Sequence, residues 1–410
     1  MAVRLDKVPP PAQLPPPPSA WLWLGLLVLG LLAGMGLTLA LGGQSLGQQP
    51  VKFWGLALGI PLLVWCGLLL VRFLVHISLL GSAEGWNQAR EEDWLAKLRK
   101  GRRSQQVLAV SLRTALREDG DADGQAQVDA LASGRSVLKT QPVRGKGELA
   151  ARHSAIAPVL GESGVLLDDT SMLLRLYRQV LKDIAVALSA FPADQPLALV
   201  LETDSAVPVD LQQAAWQQAW AEAGIRQTAT PLERRGLDAV DHWLDARIAD
   251  PALLLVVALC VAPEQMEDSA EAAVGLLLGN RLMQKTAPAV AYLHRPEQEH
   301  GVTGDTLRYA TRQALDWVPL EVGAVKQAWL IGIPAKRQGD LSTATQELLA
   351  PEPRVHDLGA CLGHPGCAAA WVAIAAAVQA ARGEGLPQLV FCGDVVADTA
   401  LWGAVVMAAP

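Results

Sequence analysis

The side chains able to do covalent or metal chemistry in this 410-residue chain are concentrated toward its C-terminus. In Cys361-Leu-Gly-His364-Pro-Gly-Cys367 an imidazole stands three residues from each of two thiols, and Cys392 follows 25 residues later. Four such nitrogen and sulfur ligands could hold zinc, but closed zinc sites usually pair their ligands as Cys-x-x-Cys or Cys/His. The reading is therefore no metal, and no cofactor of any kind. A thiol beside an imidazole could instead act as a nucleophile, with Cys260, Cys361, Cys367 and Cys392 as candidates. Cys260 closes an apolar run ahead of a loop bearing Glu264 and Glu267, where nothing nearby in sequence lowers its pKa; a buried, inert thiol is the expected reading. Gly43-Gln-Ser45-Leu-Gly47 matches the serine-hydrolase pattern but sits in a short loop between two apolar runs, without the strand-to-helix elbow the chemistry needs.

The elements that must position these residues begin with two uncharged runs, 20–41 and 53–71, each long enough to cross roughly 30 Å of hydrocarbon as a helix. They account for a hydrophobic content of 51% and a positive mean hydropathy. No small-x-small cleavage site follows the first run, which argues against a signal peptide. Trp21, Trp23 and Trp54 stand near the run ends as interface anchors, and Arg72 and His76 are placed to snorkel. Basic residues are sparse before the first run and in the connecting loop but follow the second as Arg72, Arg90, Lys97, Arg99, Lys100, Arg102 and Arg103. A hairpin with both termini cytoplasmic is expected, which in a bacterium means a multi-pass protein of the inner membrane. The run from Lys97 to Arg103 reads equally as a headgroup-binding patch and as a solvated helix face. A net charge of −7 leaves no footprint for nucleic acid. Five cysteines without regular spacing read as reduced thiols.

Composition divides the chain into a proline-rich tail at 1–19, a membrane hairpin at 20–80, a charged connector helix at 81–104 and a domain at 105–410. The tail cannot build a core and favours polyproline II, either as a spacer or as a ligand for a proline-reading partner. From Leu166 onward helical runs alternate with short apolar strands, notably Leu197–Leu201, Leu253–Val261 and Leu389–Cys392. Such strands mean an α/β fold with a central sheet covered on both faces.

Three stretches resemble the thiolase-like superfamily, β-ketoacyl synthases in particular. Leu173–Thr203 is similar to the helix, turn and strand ahead of their first substrate-side loop. Leu237–Leu282 is similar to the strand after the nucleophile helix and its Gly/Ala-rich return strand. Leu362-Gly-His364-Pro-Gly-Cys-Ala-Ala-Ala and the helix beyond it resemble the Gly-His stretch whose histidine faces the thioester. The resemblance implies a layered α-β-α-β-α domain, able to form a homodimer, with His364 as the surviving catalytic position. The place matching the nucleophile, Thr230–Gly236, has neither cysteine nor serine. The place matching the His-Gly-Thr-Gly-Thr loop, Ile331–Asp340, has lost its histidine.

These two losses imply a degenerate copy that is not an enzyme: a membrane-anchored interaction protein with a protein partner. By overall architecture it resembles the membrane-anchored adaptors of type VI secretion lipase effectors, which implies a secreted effector as that partner. The competing reading is an active acyl-thioester enzyme using His364 with a displaced cysteine.

Overall fold

The computed structural model describes residues 3–41, 49–118, 120–145, 149–157, 166–318, 320, 323–349, 351–394 and 399–409. The Gly43–Gly47 stretch lies outside them. The chain divides into two compact units, Arg4–Leu98 and residues 99–410 together with 1–3.

The smaller unit is helical. Helix α1 spans Ala20–Leu41, and α2 runs over Pro50–Gly101, with a π-type turn at Gly55–Gly59. The charged stretch from 81 to Gly101 is thus the continuation of the second apolar helix. The two helices lie antiparallel: Trp65 Nε1 donates to the Trp23 carbonyl at 2.8 Å, and Gly34 faces Ala57 and Pro61. The close approach has a chemical reason. Pro61 carries no N–H for the carbonyl four residues earlier, that of Ala57, and a Cβ on Gly34 would stand 2.6 Å from that oxygen. Among the described residues three helices are long and apolar enough to cross a membrane: Ala20–Leu41, Pro50–Gly101 and Gly366–Glu384. The third differs in that 72% of its most apolar stretch is buried inside the protein.

The larger unit opens with β1 (Ser104–Thr114), α3 (Gln125–Ala132), β2 (Lys139–Pro142) and β3 (Ala150–Ser154). Then come α4 (Asp169–Leu188), β4 (Leu197–Asp204), α5 (Val209–Glu222), β5 (Ala229–Pro231), α6 (Gly236–Ala246), β6 (Leu253–Cys260), β7 (Ser269–Ala270) and β8 (Ala272–Gly279). A second series follows: β9 (Ala291–His294), β10 (Glu297–Gln298), α7 (Gly304–Asp316), β11 (Gln327–Ile331), α8 (Gln338–Leu348) and β12 (Arg354–Asp357). It ends with α9 (Leu358–Leu362), α10 (Ala369–Glu384), β13 (Gln388–Cys392) and β14 (Trp402–Ala408).

The main sheet has the order β12-β11-β13-β14-β9-β1-β8-β6-β4-β5, with β10 paired to β14. Strands β5, β4 and β6 are parallel, and β8 returns antiparallel to β6; in the second half β12, β11 and β13 are parallel and β14 returns. The two halves meet where β1 pairs antiparallel with β9.

Strand periodicity shows why this makes five layers. In β6, Leu254, Val256, Ala258 and Cys260 face a core shared with α6 and α10, whereas Leu253, Leu255, Val257 and Leu259 face α4 and α5. In the second half, Trp329, Ile331, Val390 and Cys392 face the shared core, and Ala328, Leu330, Leu389 and Phe391 face a core with α7 and α8. Helices α6 and α10 are therefore the filling between two half-sheets, with α4/α5 and α7/α8 outside. The alanines of α10 suit this place, since a helix covered on both sides has room for small side chains only.

Candidate functional site

The parallel strands deliver their C-terminal ends to one cleft of about 1050 Å³. Strand β4 ends there at Asp204, β6 at Cys260 and β13 at Cys392; the turn ahead of α10 adds His364 and Cys367. The crevice outside the carboxyl ends of parallel strands is the usual site for a ligand in α/β proteins.

His364 is held by its backbone. Its N–H donates to the Asp268 carbonyl at 2.8 Å, and its own carbonyl accepts from Ala270 N at 3.0 Å. Asp268 takes a left-handed φ of 54° to present that carbonyl. Gly363, at φ 95°, must be glycine, because a Cβ would stand 2.6 Å from the Ser269 oxygen and 2.7 Å from that of Asp268. Gly366, at φ 49°, takes the left-handed backbone that favours glycine, and a Cβ there would push the Asp204 carboxylate aside. The Gly-His-Pro-Gly run is thus a fixture for one imidazole beside one carboxylate.

The His364 Nε2 atom is buried and has no hydrogen-bond partner among the described residues. Burial lowers its pKa, with Asp394 and Asp204 opposing, so the ring is neutral near pH 7. Asp204 is shifted upward, chiefly by burial, with His364 opposing and Glu264 adding to the rise.

The stretch matched to the second histidine loop passes directly behind this ring. Gly332, at φ 64°, follows β11; a Cβ on it would collide with the Gly393 carbonyl and stand 3.2 Å from His364 Nε2. No side chain fits there, let alone an imidazole.

The stretch matched to the nucleophile forms the end of strand β5, a turn and the start of α6 at Gly236. A helix start is where N–H groups would stabilise a thiolate or an oxyanion. Here the Glu202 carboxylate already occupies it: Oε1 accepts from Gly236 N at 2.6 Å and Oε2 from Trp371 Nε1 at 2.8 Å. Glu202 is buried. Sequence reading passed over this residue, and its only signal was a lone acid near the end of an apolar strand.

Three of the four candidate thiols line the cleft with His364. Cys367 is exposed to the cleft, with Sγ 3.5 Å from the Leu259 carbonyl. Surrounding protein and then the Glu202 and Asp204 carboxylates push its pKa up to about 12. Burial takes Cys392 to about 12, and burial, with help from Asp204 and Cys367, also pushes the Cys260 thiol well up. Cys361 lies away from the cleft on α9, its carbonyl accepting from Val137 N, and burial raises its pKa too. All four are thiols, not thiolates, at neutral pH. Cys361 therefore does not join the other three around a common point, and among the described residues no three His, Cys, Asp or Glu side chains are grouped to hold a metal.

Of the residues expected as interface anchors, Trp21 and Trp54 are exposed, and Trp23 packs edge-on against Trp65. In the basic run, Lys97 pairs with Asp93 at 2.8 Å; Lys100 and Arg103 both pair with Asp245, at 2.9 and 2.8 Å. Arg102 faces Asp316 electrostatically. Arg99 ends the helix within its last turn, and Arg72 sits in the apolar part of α2.

No protein-family model matches the chain, and no curated protein matches its sequence. Solved structures do. The ishigamide ketosynthase/chain length factor superposes with a TM-score of 0.54 at 16% identity, covering 75% of this chain and 100% of that one. The chain has the ketosynthase fold. The PfaC ketosynthase-chain length factor gives 0.53 at 8% identity, covering 75% of this chain and 43% of that one. A type II polyketide ketosynthase, solved with its acyl-carrier protein and bound to the hexaketide, gives 0.50 at 12%, covering 75% and 99%. At these identities the likeness extends to the fold alone, which agrees with the thiolase-like layering that the sequence resemblance implied.

Proposed function

We propose that this protein is a membrane-anchored binding module on the ketosynthase fold that carries out no acyl transfer. The observation that supports this is Glu202. A fixed carboxylate at the start of α6 fills the slot where a nucleophile and an oxyanion would need N–H groups, and it repels negative charge from that place. Gly332 supports it as well, since no side chain at that position can stand behind His364. A lone neutral imidazole among protonated thiols lacks the parts of a covalent mechanism. The cleft is then a recognition surface, and the helices α1 and α2 hold it at a bilayer as a hairpin with both termini cytoplasmic. We propose a protein as the partner; a secreted type VI effector is the first candidate to test by co-purification from detergent extract.

The test of the chemistry is intact-protein mass spectrometry after incubation with acyl-CoA or acyl-carrier protein. No adduct is expected. A stoichiometric adduct on Cys260, Cys367 or Cys392 that disappears in His364→Ala would replace this reading with that of a rearranged acyl-thioester enzyme.

A further inference from the structure

Residues 9–12 of the proline tail lie along the charged end of α2, within the smaller unit. Three side chains within one turn of the helix take the tail's backbone. Trp86 Nε1 donates to the Pro10 carbonyl at 3.3 Å, and Arg90 Nε donates to the Pro9 carbonyl at 2.7 Å. Asn87 reads both sides of one residue, its Oδ1 accepting from Ala12 N at 2.8 Å and its Nδ2 donating to the Ala12 carbonyl at 3.2 Å.

We propose that the Trp86–Asn87–Arg90 face of α2 is a polyproline-reading site, filled in cis by residues 9–12 and able to take a proline-rich strand in trans when the tail leaves. The chemistry fits that ligand class. A proline-rich strand has no internal hydrogen bonds, so its carbonyls are free to accept, and its preformed extended shape loses little entropy on docking. An indole N–H given to one prolyl carbonyl and a guanidinium given to the one before it use those acceptors. The sequence carries the imprint of the third contact. Pro9-Pro-Pro11 and Pro15–Pro18 are separated by Ala12-Gln-Leu14, and Ala12 is where the site needs an N–H that proline lacks. The rule is therefore two prolines reading as acceptors, with a non-proline residue three places after the first.

Fluorescence anisotropy of a labelled peptide of residues 7–18 tests this, using the full chain and a chain lacking residues 2–18, both in detergent. The shortened chain should bind the peptide saturably. The full chain should bind at least about tenfold more weakly, because the tethered tail competes at an effective concentration near millimolar. Removing one of these hydrogen bonds is worth about fivefold, so an Ala12→Pro peptide should bind about fivefold more weakly, although the extra proline stiffens it. Asn87→Ala, which removes two, should weaken binding about twenty-fivefold. The peptide-side change leaves the protein untouched, so misfolding cannot produce it. No saturable binding to the shortened chain would overturn the proposal, and so would an Ala12→Pro peptide that binds as tightly as the natural one.

Discussion

Glu202 shows how one side chain decides what a fold can do. Its two oxygens satisfy a helix-start N–H at the cleft wall and a buried indole, so truncation leaves both donors without their acceptor. Glu202→Ala should lower unfolding free energy by about 2–3 kcal/mol in denaturant titrations of the detergent-solubilised chain, with Glu202→Gln costing less because it keeps an acceptor. Gly363→Ala should destabilise comparably, through φ 95° and the collision with Ser269 and Asp268. The sequence displayed His364 and its flanking glycines because a Gly-His-Pro-Gly run is a local pattern. It did not display Glu202 or the role of Gly332, because both depend on pairings between residues far apart, with Trp371 lying 169 positions from Glu202. That Cys361 leaves the group while Cys260 joins it has the same origin. Sequence proximity put Cys361 next to His364, and strand ends put Cys260 there.

Among the elements, the buried strands and the alanine-rich helix were legible from period and composition, whereas β5, three residues long, and the β2-β3-β7 sheet carried no hydrophobic pattern to read. Also hidden was the charged cluster that joins β9 and β10 to α6. Arg295 is wholly buried between Asp241 and Asp245 of α6, and Asp245 also receives Lys100 and Arg103. Beside it, Glu297 accepts from Trp317 Nε1 at 3.1 Å, and burial, aided by Asp241, pushes its pKa up to about 7 against the opposing pull of Trp317 and Arg295. His300 also faces it, at 3.7 Å. The folded chain thus keeps a proton that the unfolded chain, with an ordinary pKa near 4.5, has given up. This group's contribution to stability falls as pH rises from about 4.5 to about 7 and is constant above. Glu297→Gln should match the native chain at pH 4.5 and exceed it at pH 8, by on the order of 2 kcal/mol, in denaturant midpoints measured at the two pH values.

For the whole molecule, the proposed topology has a direct check. A reporter fused after Pro410 should be active in the cytoplasm and one inserted near Gln48 in the periplasm; the reverse pattern would refute the orientation. That assay also bears on α10, whose burial has a consequence for biosynthesis. This segment is apolar enough for a bilayer yet ends in the protein core, so as it leaves the ribosome two destinations compete for it. Its alanines keep it near the threshold of membrane insertion, and the first half-sheet, already synthesised, offers a surface to receive it. Leucines at Ala373, Ala376 and Ala377 would tip both balances at once, overfilling the core and favouring the lipid. In the proposed topology the reporter after Pro410 should then move to the periplasm in a fraction of molecules: the composition that lets α10 fit between two half-sheets also keeps it out of the lipid.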